Sequence, residues 1–414
     1  MQYKITAPSS GITGKIKFPA SKSISNRVLI INALSYSPFP ISNLSESDDT
    51  KVMQGVLNSN THRFDIGHAG TAMRFLTAYL SKIAGQWEIT GSERMRQRPI
   101  GILVDALKKL GAKIEYIEKE GFPPLRIWGS HLKGGLIELD GSVSSQYITA
   151  LLLIAPYLEN GLTLILENKI TSRSYIELTL NLMEKFGVGH DWKGNEIRIE
   201  EQNYLPVDYT VEGDWSGASY WYQLIAMAEN SEIKIEGLHL PSLQGDAVIT
   251  TWLKQFGVET KITNTGLTIS KTGNIKPKHL AIDFLENPDL AQTMAVLCVA
   301  KNIPFHFTGL KTLKIKETDR IKALQDELSK FGAIISEPKH GELKWDARKD
   351  YGKIQQTPII NTYKDHRMAM AFAPLALAYP SIIIDEPLVV TKSYPNFWND
   401  LQTCGFILKE QSPT

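Results

Sequence analysis

Cysteine is scarce in this sequence of 414 residues, which contains only Cys298 and Cys404. Two cysteines cannot build the disulfide framework of a small secreted domain, and their spacing does not match a zinc site. Cys298 lies inside the apolar run 295–300, and Cys404 precedes Gly405 at an expected helix end. We therefore expect both thiols to be buried and inert.

A long hydrophobic run is also missing. The longest apolar segment, residues 150–158, is too short to span a bilayer and contains Pro156. The first residues lack the apolar centre of a secretory signal peptide. Together these features predict a cytoplasmic, reducing location and no membrane partner.

Net charge is almost absent, because 45 basic residues face 44 acidic ones and leave +1. Such a balance argues against a nucleic-acid-binding protein or a membrane-surface binder, so any anion binding must come from local clusters. No low-complexity linker interrupts the chain, although its length favours two domains. The best boundary candidates are Pro19-Ala20 and residues 212–214, where proline or glycine interrupts the pattern.

One pattern recurs along the chain: an apolar residue, two spacers, an apolar residue, a glycine, and then a strand-like run. The glycines are Gly111, Gly187, Gly257, Gly332 and Gly405, at successive spacings of 76, 70, 75 and 73 residues. Glycine readily takes the left-handed position that ends a helix, so each copy predicts a helix followed at once by a strand. The period suits a whole α/β folding unit of about 70 residues, three per domain.

The N-terminal part predicts a strand pair over residues 3–18 and then a helix over 23–34. Residues 21–27 (Ser-Lys-Ser-Ile-Ser-Asn-Arg) place three hydroxyls and two cations where this apolar helix begins. A helix N-terminus normally prefers acidic residues, so Lys22 and Arg27 make most sense if an anion lies between them and the backbone N–H groups. An ordinary serine cap with solvated basic side chains explains the stretch equally well.

Further basic, acidic or hydroxyl-rich clusters lie at or near other predicted helix starts. Each alone has a structural explanation, such as capping or a solvated face, but their repetition favours an anion site. In the cluster at residues 314–321, Lys316 and Arg320 would be i,i+4 neighbours on a helix. A buried Glu317 between these cations could act as a general acid. The clusters are residues 67–76, 94–99, 141–147, 171–175, 314–321, 364–371 and 392–395, together with 287–293 around Asp289.

These motifs carry a family likeness. Residues 21–27, 69–74 (Ala-Gly-Thr-Ala-Met-Arg), 94–99, 316–320 (Lys-Glu-Thr-Asp-Arg) and 365–370 (Asp-His-Arg-Met-Ala-Met) resemble the EPSP synthase family, in its order and nearly its spacing. The resemblance implies an α/β fold of two discontinuous domains, each of three βαβαββ units in an inside-out α/β barrel. Residues 1–19 and 215–414 would form the lower domain and 20–214 the upper one, with the active site in the interdomain cleft.

The resemblance also implies a reaction. The carboxyvinyl group of phosphoenolpyruvate would pass to the 5-hydroxyl of shikimate 3-phosphate by addition–elimination, in the shikimate pathway to chorismate and the aromatic amino acids. Asp289, Glu317 and Lys22 would be catalytic. Phosphoenolpyruvate would be bound by Lys22, Gly70, Arg94, Gln146, Arg320, Arg367 and Lys392. Shikimate 3-phosphate would be bound by Ser23, Arg27, Ser144, Ser145, Gln146, Ser172, Asp289 and Lys316. No metal or organic cofactor, no nucleic acid and a monomeric state are expected.

The sequence departs from the family pattern at a few positions. His68 stands where the family commonly has Asn, Phe75 where Pro is frequent, and Thr312 where many members have Asn. The first two flank the phosphoenolpyruvate loop and leave inhibition by glyphosate open. No catalytic group is replaced.

Three alternatives come from other classes. The enolpyruvyl transferase that acts on UDP-N-acetylglucosamine shares the fold but usually carries a reactive upper-domain cysteine, which residues 20–214 lack. A non-catalytic anion-binding homologue would gain nothing from Asp289 and Glu317. Nucleic-acid binding conflicts with the charge balance and the missing aromatic-basic motifs.

Overall fold

A computed structural model describes residues 1–412 of the chain. The chain divides into two compact units. The discontinuous unit comprises Met1–Pro19 and the part of the chain from Glu212 onward, and the inserted unit comprises Ala20–Val211. Residues 212–214 belong with the discontinuous unit because Gly213 donates its N–H to Gly237 and Asp214 donates its own to Pro19. Asp214 also caps the helix that follows, so the return to this unit comes before the expected residue 215.

Most of the helices begin after a polar residue, and they bury either one face or nearly their whole surface in the unit that contains them. The α-helices are α1 Lys22–Leu34, α2 Asp48–Leu57, α3 Gly70–Lys82, α4 Glu93–Arg96, α5 Gly101–Lys109, α6 Ser145–Ile154, α7 Arg173–Lys185, α8 Trp215–Met227, α9 Ile249–Trp252, α10 Ala291–Ala300, α11 Arg320–Ser329, α12 His366–Phe372 and α13 Phe397–Thr403. Turns of 3-10 helix span Ala155–Tyr157, Gly245–Val248, Leu253–Phe256, Pro288–Leu290, Lys311–Ile315, Tyr351–Lys353, Ala373–Leu377 and Pro387–Lys392.

The strands are short and alternate with the helices along the chain. They are β1 Gln2–Thr6, β2 Thr13–Lys17, β3 Ile41–Ser42, β4 Arg63–Asp65, β5 Gly85–Thr90, β6 Lys113–Tyr116, β7 Leu125–Gly129, β8 Lys133–Asp140, β9 Glu159–Glu167, β10 Asp191–Lys193, β11 Glu196–Ile199, β12 Tyr209–Thr210, β13 Glu232–Glu236, β14 Val258–Thr263, β15 Gly266–Lys271, β16 Leu280–Asp283, β17 Phe305–Thr308, β18 Leu343–Trp345, β19 Ile359–Ile360, β20 Ile382–Asp385 and β21 Ile407–Gln411.

The larger sheets share one pairing scheme. A parallel pair of strands comes first, and an antiparallel strand then pairs with the second of them. In the inserted unit the strand orders are β4-β5-β7-β6 and β10-β11-β9-β8, with β12-β3 as a small extra pair. In the discontinuous unit they are β19-β20-β1-β21, β14-β15-β13-β2 and β16-β17-β18. The result is a mixed α/β fold.

The repeated glycines end helices as expected. Gly111, Gly187, Gly257, Gly332 and Gly405 all have positive φ, between 71° and 97°. The strand predicted directly after Gly332 is wrong, because only isolated bridges at Ala333 and Ser336 form there. The N-terminal strand pair is also wrong as a pair. Residues 3–18 do contain β1 and β2, but β1 pairs with β20 and β21 whereas β2 pairs with β13.

The two cysteines are buried, as predicted, at 0% and 3% exposure. Burial raises the pKa of Cys298 well above its usual value, and burial followed by the nearby Asp400 charge raises the pKa of Cys404 to about 12. In the described part of the chain, none of the helices combines the length and the apolar character needed to span a bilayer.

Candidate functional site

The start of α1 is capped by serine and lined by a lysine. Ser21 accepts a hydrogen bond from the N–H of Ile24 at 3.3 Å, which confirms the serine cap, but the basic side chains of Lys22 and Arg27 are not solvated. The first turn contains no acidic residue, but the Nζ of Lys22 lies 3.6 Å from an oxygen of Asp49 on α2. A carboxylate from another helix thus faces the lysine. Ser23 lies beside it, half-buried.

Arg27 is buried among neutral oxygen atoms. It is 4% exposed and donates to the side chain of Thr179 at 2.8 Å and to the carbonyl of Ser23 at 2.7 Å. Among residues 1–412 no carboxylate comes within ion-pair distance of it, and burial lowers the pKa of Arg27 to about 10. Its guanidinium also lies over the ring of Phe75, 5.6 Å from the centroid. Arg27 is therefore a buried cation that would favour an anion nearby.

A second arginine lies against the glycine that starts α3. A Cβ added to Gly70 would come within 2.6 Å of Nη1 of Arg98, so only glycine allows this approach. Arg98 is 9% exposed, whereas Arg94 lies on the exposed side of α4. Arg98 thus lies beside the Gly70 loop, a placement that sequence reasoning missed.

The same loop is braced by polar contacts. Arg74 is buried and donates to the carbonyls of Gly70 and Pro99, at 3.2 and 3.1 Å. The Nδ1 of His68 lies 2.8 Å from the hydroxyl of Ser92, which caps α4. Arg74, which the sequence offers as an anion-binding cation, is therefore largely occupied in holding the loop.

The starts of α3 and α6 meet through side chains. Ser144 caps α6 by accepting from the N–H of Gln146 at 3.4 Å, and Ser145 is the first helical residue. The Gln146 amide nitrogen donates to the hydroxyl of Thr71 at 3.3 Å. These half-buried polar groups therefore lie beside the Gly70 loop.

Ser172 occupies the position before α7 with a left-handed backbone, φ 54°, and is 6% exposed. This conformation is uncommon for a residue with a Cβ and often marks a functional turn. The neighbouring Thr171 hydroxyl donates to the carbonyl of Val143 at 3.3 Å, which ties this turn to the start of α6. Within the inserted unit, Gln146 thus contacts the start of α3 beside Gly70, and the turn at Ser172 is tied to the start of α6.

In the discontinuous unit, Asp289 lies among cations. Its oxygens accept from Arg320 at 2.9 Å and from Arg367 at 2.7 Å, and the Nζ of Lys316 is 3.9 Å away. Burial would raise the pKa of Asp289, but the charges of Arg367, Lys316 and Arg320 outweigh it and hold the pKa well below the usual range. Asp289 is therefore ionised at neutral pH. It lies in the 3-10 turn Pro288–Leu290 before α10.

Arg320 joins three carboxylates. It is 2% exposed and donates to Asp289, to Glu317 at 2.9 Å, and to Asp365 at 2.7 Å. Burial opposes its charge, yet Asp365, Glu317 and Asp289 raise the pKa of Arg320 above its ordinary value. One guanidinium thus fixes both carboxylates that sequence reasoning put forward as catalytic.

The expected helix over Lys316 and Glu317 is wrong. Asp319 caps α11 by accepting from the N–H of Lys322 at 3.1 Å, and the helix begins only at Arg320. Lys316 and Glu317 lie in the preceding loop, so Lys316 and Arg320 are not helical neighbours. The pair of Glu317 with Arg320 nevertheless forms. Burial lowers the pKa of Lys316, with Asp289 opposing the change.

Arg367 and Lys392 complete this cluster. Arg367 is the second residue of α12, behind the cap Asp365, and donates to Asp289 and to the hydroxyl of Tyr220, at 2.7 and 3.3 Å. The Nζ of Lys392, at the end of the turn Pro387–Lys392, donates to the carbonyl of Lys364 at 2.7 Å. Every residue that the sequence proposed in this unit therefore lies in the cluster or on a turn next to it.

Two partners in these clusters were missed as site residues from the sequence. Asp49 faces Lys22, and its only signal was the acidic start of α2 at residues 48–50. Asp365 appeared in a motif, but nothing in the sequence indicated that it would be fully buried against Arg320. Among the described residues, no group of three or more His, Cys, Asp or Glu side chains is arranged to hold a metal ion.

A mixed α/β fold whose helix starts gather cations, hydroxyls and ionised carboxylates defines an enzyme class that handles anionic small molecules. Comparison with known protein families identifies the particular family. The family model described as EPSP synthase (3-phosphoshikimate 1-carboxyvinyltransferase) matches residues 6–60 and 55–401. The chain belongs to the EPSP synthase family.

Curated relatives match this chain over nearly its full length. The 3-phosphoshikimate 1-carboxyvinyltransferase of Bacteroides fragilis is 53% identical over 410 residues, covering 99% of each chain. The protein of that name from Haemophilus influenzae is 36% identical, covering 96% of this chain and 98% of its own. The fold is also similar to a solved EPSP synthase from Acinetobacter baumannii, with a TM-score of 0.80, 21% identity, and coverage of 99% and 100%.

Proposed function

We propose that the protein is a 3-phosphoshikimate 1-carboxyvinyltransferase of the shikimate pathway. It transfers the carboxyvinyl group of phosphoenolpyruvate to the 5-hydroxyl of shikimate 3-phosphate and releases inorganic phosphate. The observation that carries this proposal is the Arg320 guanidinium, which holds Asp289 and Glu317 together, in a chain whose full-length relatives bear that name.

The reaction needs one group to accept a proton and another to supply one. The 5-oxygen adds to C2 of phosphoenolpyruvate while its proton passes to Asp289, and Glu317 delivers a proton to the C3 methylene, giving a tetrahedral ketal. A proton then leaves C3 with help from Glu317, the C2–oxygen bond to phosphate breaks, and the proton held by Asp289 passes to the departing phosphate. The carbon–carbon double bond re-forms, so no oxidant or reductant is consumed.

Asp289 is a weak base while the cations hold it. Arg320, Arg367 and Lys316 together depress its pKa. A phosphate or carboxylate that takes hydrogen bonds from these cations weakens their hold on Asp289 and raises its proton affinity. Substrate binding would thus activate the base that the free enzyme keeps ionised.

Resemblance to the family assigns the binding residues to the two substrates. Phosphoenolpyruvate is assigned to Lys22, Gly70, Arg94, Gln146, Arg320, Arg367 and Lys392. Shikimate 3-phosphate is assigned to Ser23, Arg27, Ser144, Ser145, Gln146, Ser172, Asp289 and Lys316. Arg98, which lies beside Gly70, is a further cation near this loop.

The domain assignment, with three βαβαββ units in each, is part of the proposal. The parallel-then-antiparallel scheme of the larger sheets supports it. The cytoplasmic location, the monomeric state and the independence from cofactors stay predictions.

The test is to incubate the protein with phosphoenolpyruvate and shikimate 3-phosphate and to measure released phosphate. Release that requires both substrates is expected. Release with UDP-N-acetylglucosamine instead of shikimate 3-phosphate would overturn the assignment, and no release with either acceptor would favour a non-catalytic anion-binding protein.

A further inference from the structure

A strained turn precedes α12. Tyr363 and Lys364 both have left-handed backbones, with φ of 54° and 56°. This conformation is disfavoured for residues with a Cβ, and two in succession persist only where surrounding contacts hold them. The turn also closes with a hydrogen bond from the N–H of Asp365 to the carbonyl of Thr362 at 2.8 Å.

One buried carboxylate holds this turn. Glu327 has a fully buried side chain on α11. Its Oε1 accepts from the Tyr363 hydroxyl at 2.8 Å, and its Oε2 accepts from the N–H of Asn361 at 3.0 Å. Lys330 donates to the same Oε2 at 2.6 Å and also to the carbonyl of Ile359 at 2.6 Å. Glu327 thus fastens both the backbone and a side chain of the turn.

The same helix fixes the far end of the turn. Arg320 and Glu327 are seven residues apart, close to two helical turns, and so lie on one face of α11. Arg320 donates to Asp365 at 2.7 Å, whereas Glu327 accepts from Asn361 and Tyr363. The turn is therefore clamped at both ends by a single rigid element.

The held turn presents an acceptor to a lysine of the candidate site. The carbonyl of Lys364 accepts from the Nζ of Lys392 at 2.7 Å. A carbonyl in a left-handed residue points in a direction that ordinary helical or extended backbone would not give. If the turn relaxed, that carbonyl would turn away and the Lys392 ammonium would lose this anchor.

We propose that Glu327 is a positioning residue that holds the turn at Tyr363 and Lys364 so that the Lys364 carbonyl orients Lys392 toward phosphoenolpyruvate. The proposal rests on the proposed function for the identity of the ligand. Glu327 itself acts through the turn, by accepting the Asn361 N–H and the Tyr363 hydroxyl.

Three variants separate positioning from bulk stability. Glu327→Ala removes both carboxylate oxygens that accept hydrogen bonds at residue 327. Glu327→Gln keeps one oxygen for the Asn361 N–H and offers an N–H donor to the Tyr363 oxygen. In both variants Lys330 can still donate to the Ile359 carbonyl. Asp326→Asn is the matched control, because Asp326 is the exposed neighbour on α11 that pairs with Lys322 at 2.7 Å. The KM for each substrate is measured, together with the acylation rate of Lys392, followed by mass spectrometry of its peptide.

We expect Glu327→Ala to raise the KM for phosphoenolpyruvate at least tenfold, to leave that for shikimate 3-phosphate within twofold, and to speed Lys392 acylation several-fold. Glu327→Gln and Asp326→Asn should remain near wild type in all three. Equal impairment of the alanine and glutamine variants, or a lower unfolding temperature with unchanged KM and acylation, would overturn the proposal.

Two further outcomes are distinguishable. If Glu327→Ala does not fold, Tyr363→Phe removes one hydrogen bond and keeps the ring; a rise in the phosphoenolpyruvate KM with faster Lys392 acylation supports positioning, and no change in either refutes it. If wild-type protein makes no product but Lys392 acylation still responds to Glu327→Ala, the proposed function fails while the positioning role stands.

Discussion

The guanidinium of Arg320 donates from Nη1 to an oxygen of Asp289 at 2.9 Å, in a setting where the arginine is only 2% exposed. Both groups are fixed by further partners, since Arg320 also holds Asp365 and Asp289 also accepts from Arg367. A buried pair of this kind makes each partner costly to remove. It also makes the protonation of Asp289 depend on what else binds the cations.

The acid sensitivity of folding should depend on Asp289. Its pKa in the folded protein lies below the ordinary value of 3.8, so its contribution is complete above that value and is lost as pH falls toward the folded pKa. Asp289→Asn should lower the free energy of unfolding by roughly 3 kcal/mol at pH 7, because two buried cations, Arg320 and Arg367, each lose a carboxylate partner. Denaturant titrations at pH 7 and pH 3 should show this gap shrinking at the lower pH.

The control for this prediction is Asp326→Asn. Asp326 pairs with Lys322 on an exposed helix surface, so its loss should change stability by less than about 1 kcal/mol at either pH. A gap between wild type and Asp289→Asn that stays constant, or widens, from pH 7 to pH 3 would contradict the pKa argument.

Turnover should depend on the carboxyl group of Glu317. Glu317→Gln keeps an oxygen for Arg320 but cannot transfer a proton, so kcat should fall roughly 10²- to 10⁴-fold. The dissociation constant for shikimate 3-phosphate, measured by calorimetry, should stay within about twofold, because Arg320 keeps a hydrogen bond to residue 317 and its ion pairs with Asp289 and Asp365. Glu337→Gln serves as the control, since Glu337 is a similarly exposed carboxylate that pairs with Lys314 at 2.8 Å.

An equal loss of shikimate 3-phosphate binding in Glu317→Gln would make Glu317 a structural ion-pair partner. A comparable fall in kcat for Glu337→Gln would show that the effect on turnover is not specific to Glu317.

Local signals in the sequence were sufficient for several features. Gly111 and Gly405 end helices because glycine alone takes positive φ without a Cβ clash, and that preference is carried by one residue. The serine caps of α1 and α6 likewise need only the backbone a few residues away. Such features are predictable because cause and effect lie within one turn of chain.

Long-range partners were not predictable in the same way. Lys22 meets Asp49 across two helices, and Arg98 reaches Gly70 from another cluster. Their proximity depends on how separate elements pack, which no local pattern contains. The loop at Lys316 and Glu317 shows the same limit, because the Asp319 cap starts α11 later than the charge spacing suggested.

The approach of Arg98 to Gly70 gives a steric prediction. In Gly70→Ala the new Cβ would lie 2.6 Å from Nη1 and 3.1 Å from Cζ of Arg98, so the guanidinium must move. We expect the KM for phosphoenolpyruvate to rise at least tenfold, with a smaller effect on shikimate 3-phosphate, as measured by steady-state kinetics.

Gly55→Ala is the matched substitution for that experiment. Gly55 lies inside α2, and a Cβ there meets no atom within 4 Å. Alanine should stabilise the protein by about 0.5–1 kcal/mol without altering either KM. If Gly70→Ala behaves like Gly55→Ala, the close contact with Arg98 has no part in substrate binding.

Backbone strain at Lys364 should be measurable as stability. Lys364→Gly removes the Cβ from a residue at φ 56° and keeps the carbonyl that Lys392 uses. The relieved strain, less the extra freedom of glycine in the unfolded chain, should raise the free energy of unfolding by roughly 0.5–1 kcal/mol. Lys51→Gly, on an exposed position of α2, should instead cost about 1 kcal/mol. Chemical denaturation of both variants checks the contrast, and destabilisation of equal size in the two would refute the strain.

The most direct test of the central claim is the identity of the product. Wild-type protein is mixed with phosphoenolpyruvate and shikimate 3-phosphate, each is omitted in turn, and the reaction is followed by proton and phosphorus NMR. The account predicts a vinyl ether on the 5-oxygen of shikimate 3-phosphate, formed in equal amount with inorganic phosphate and only when both substrates are present. Phosphate released without that ether, or an ether formed on a different acceptor, would contradict it.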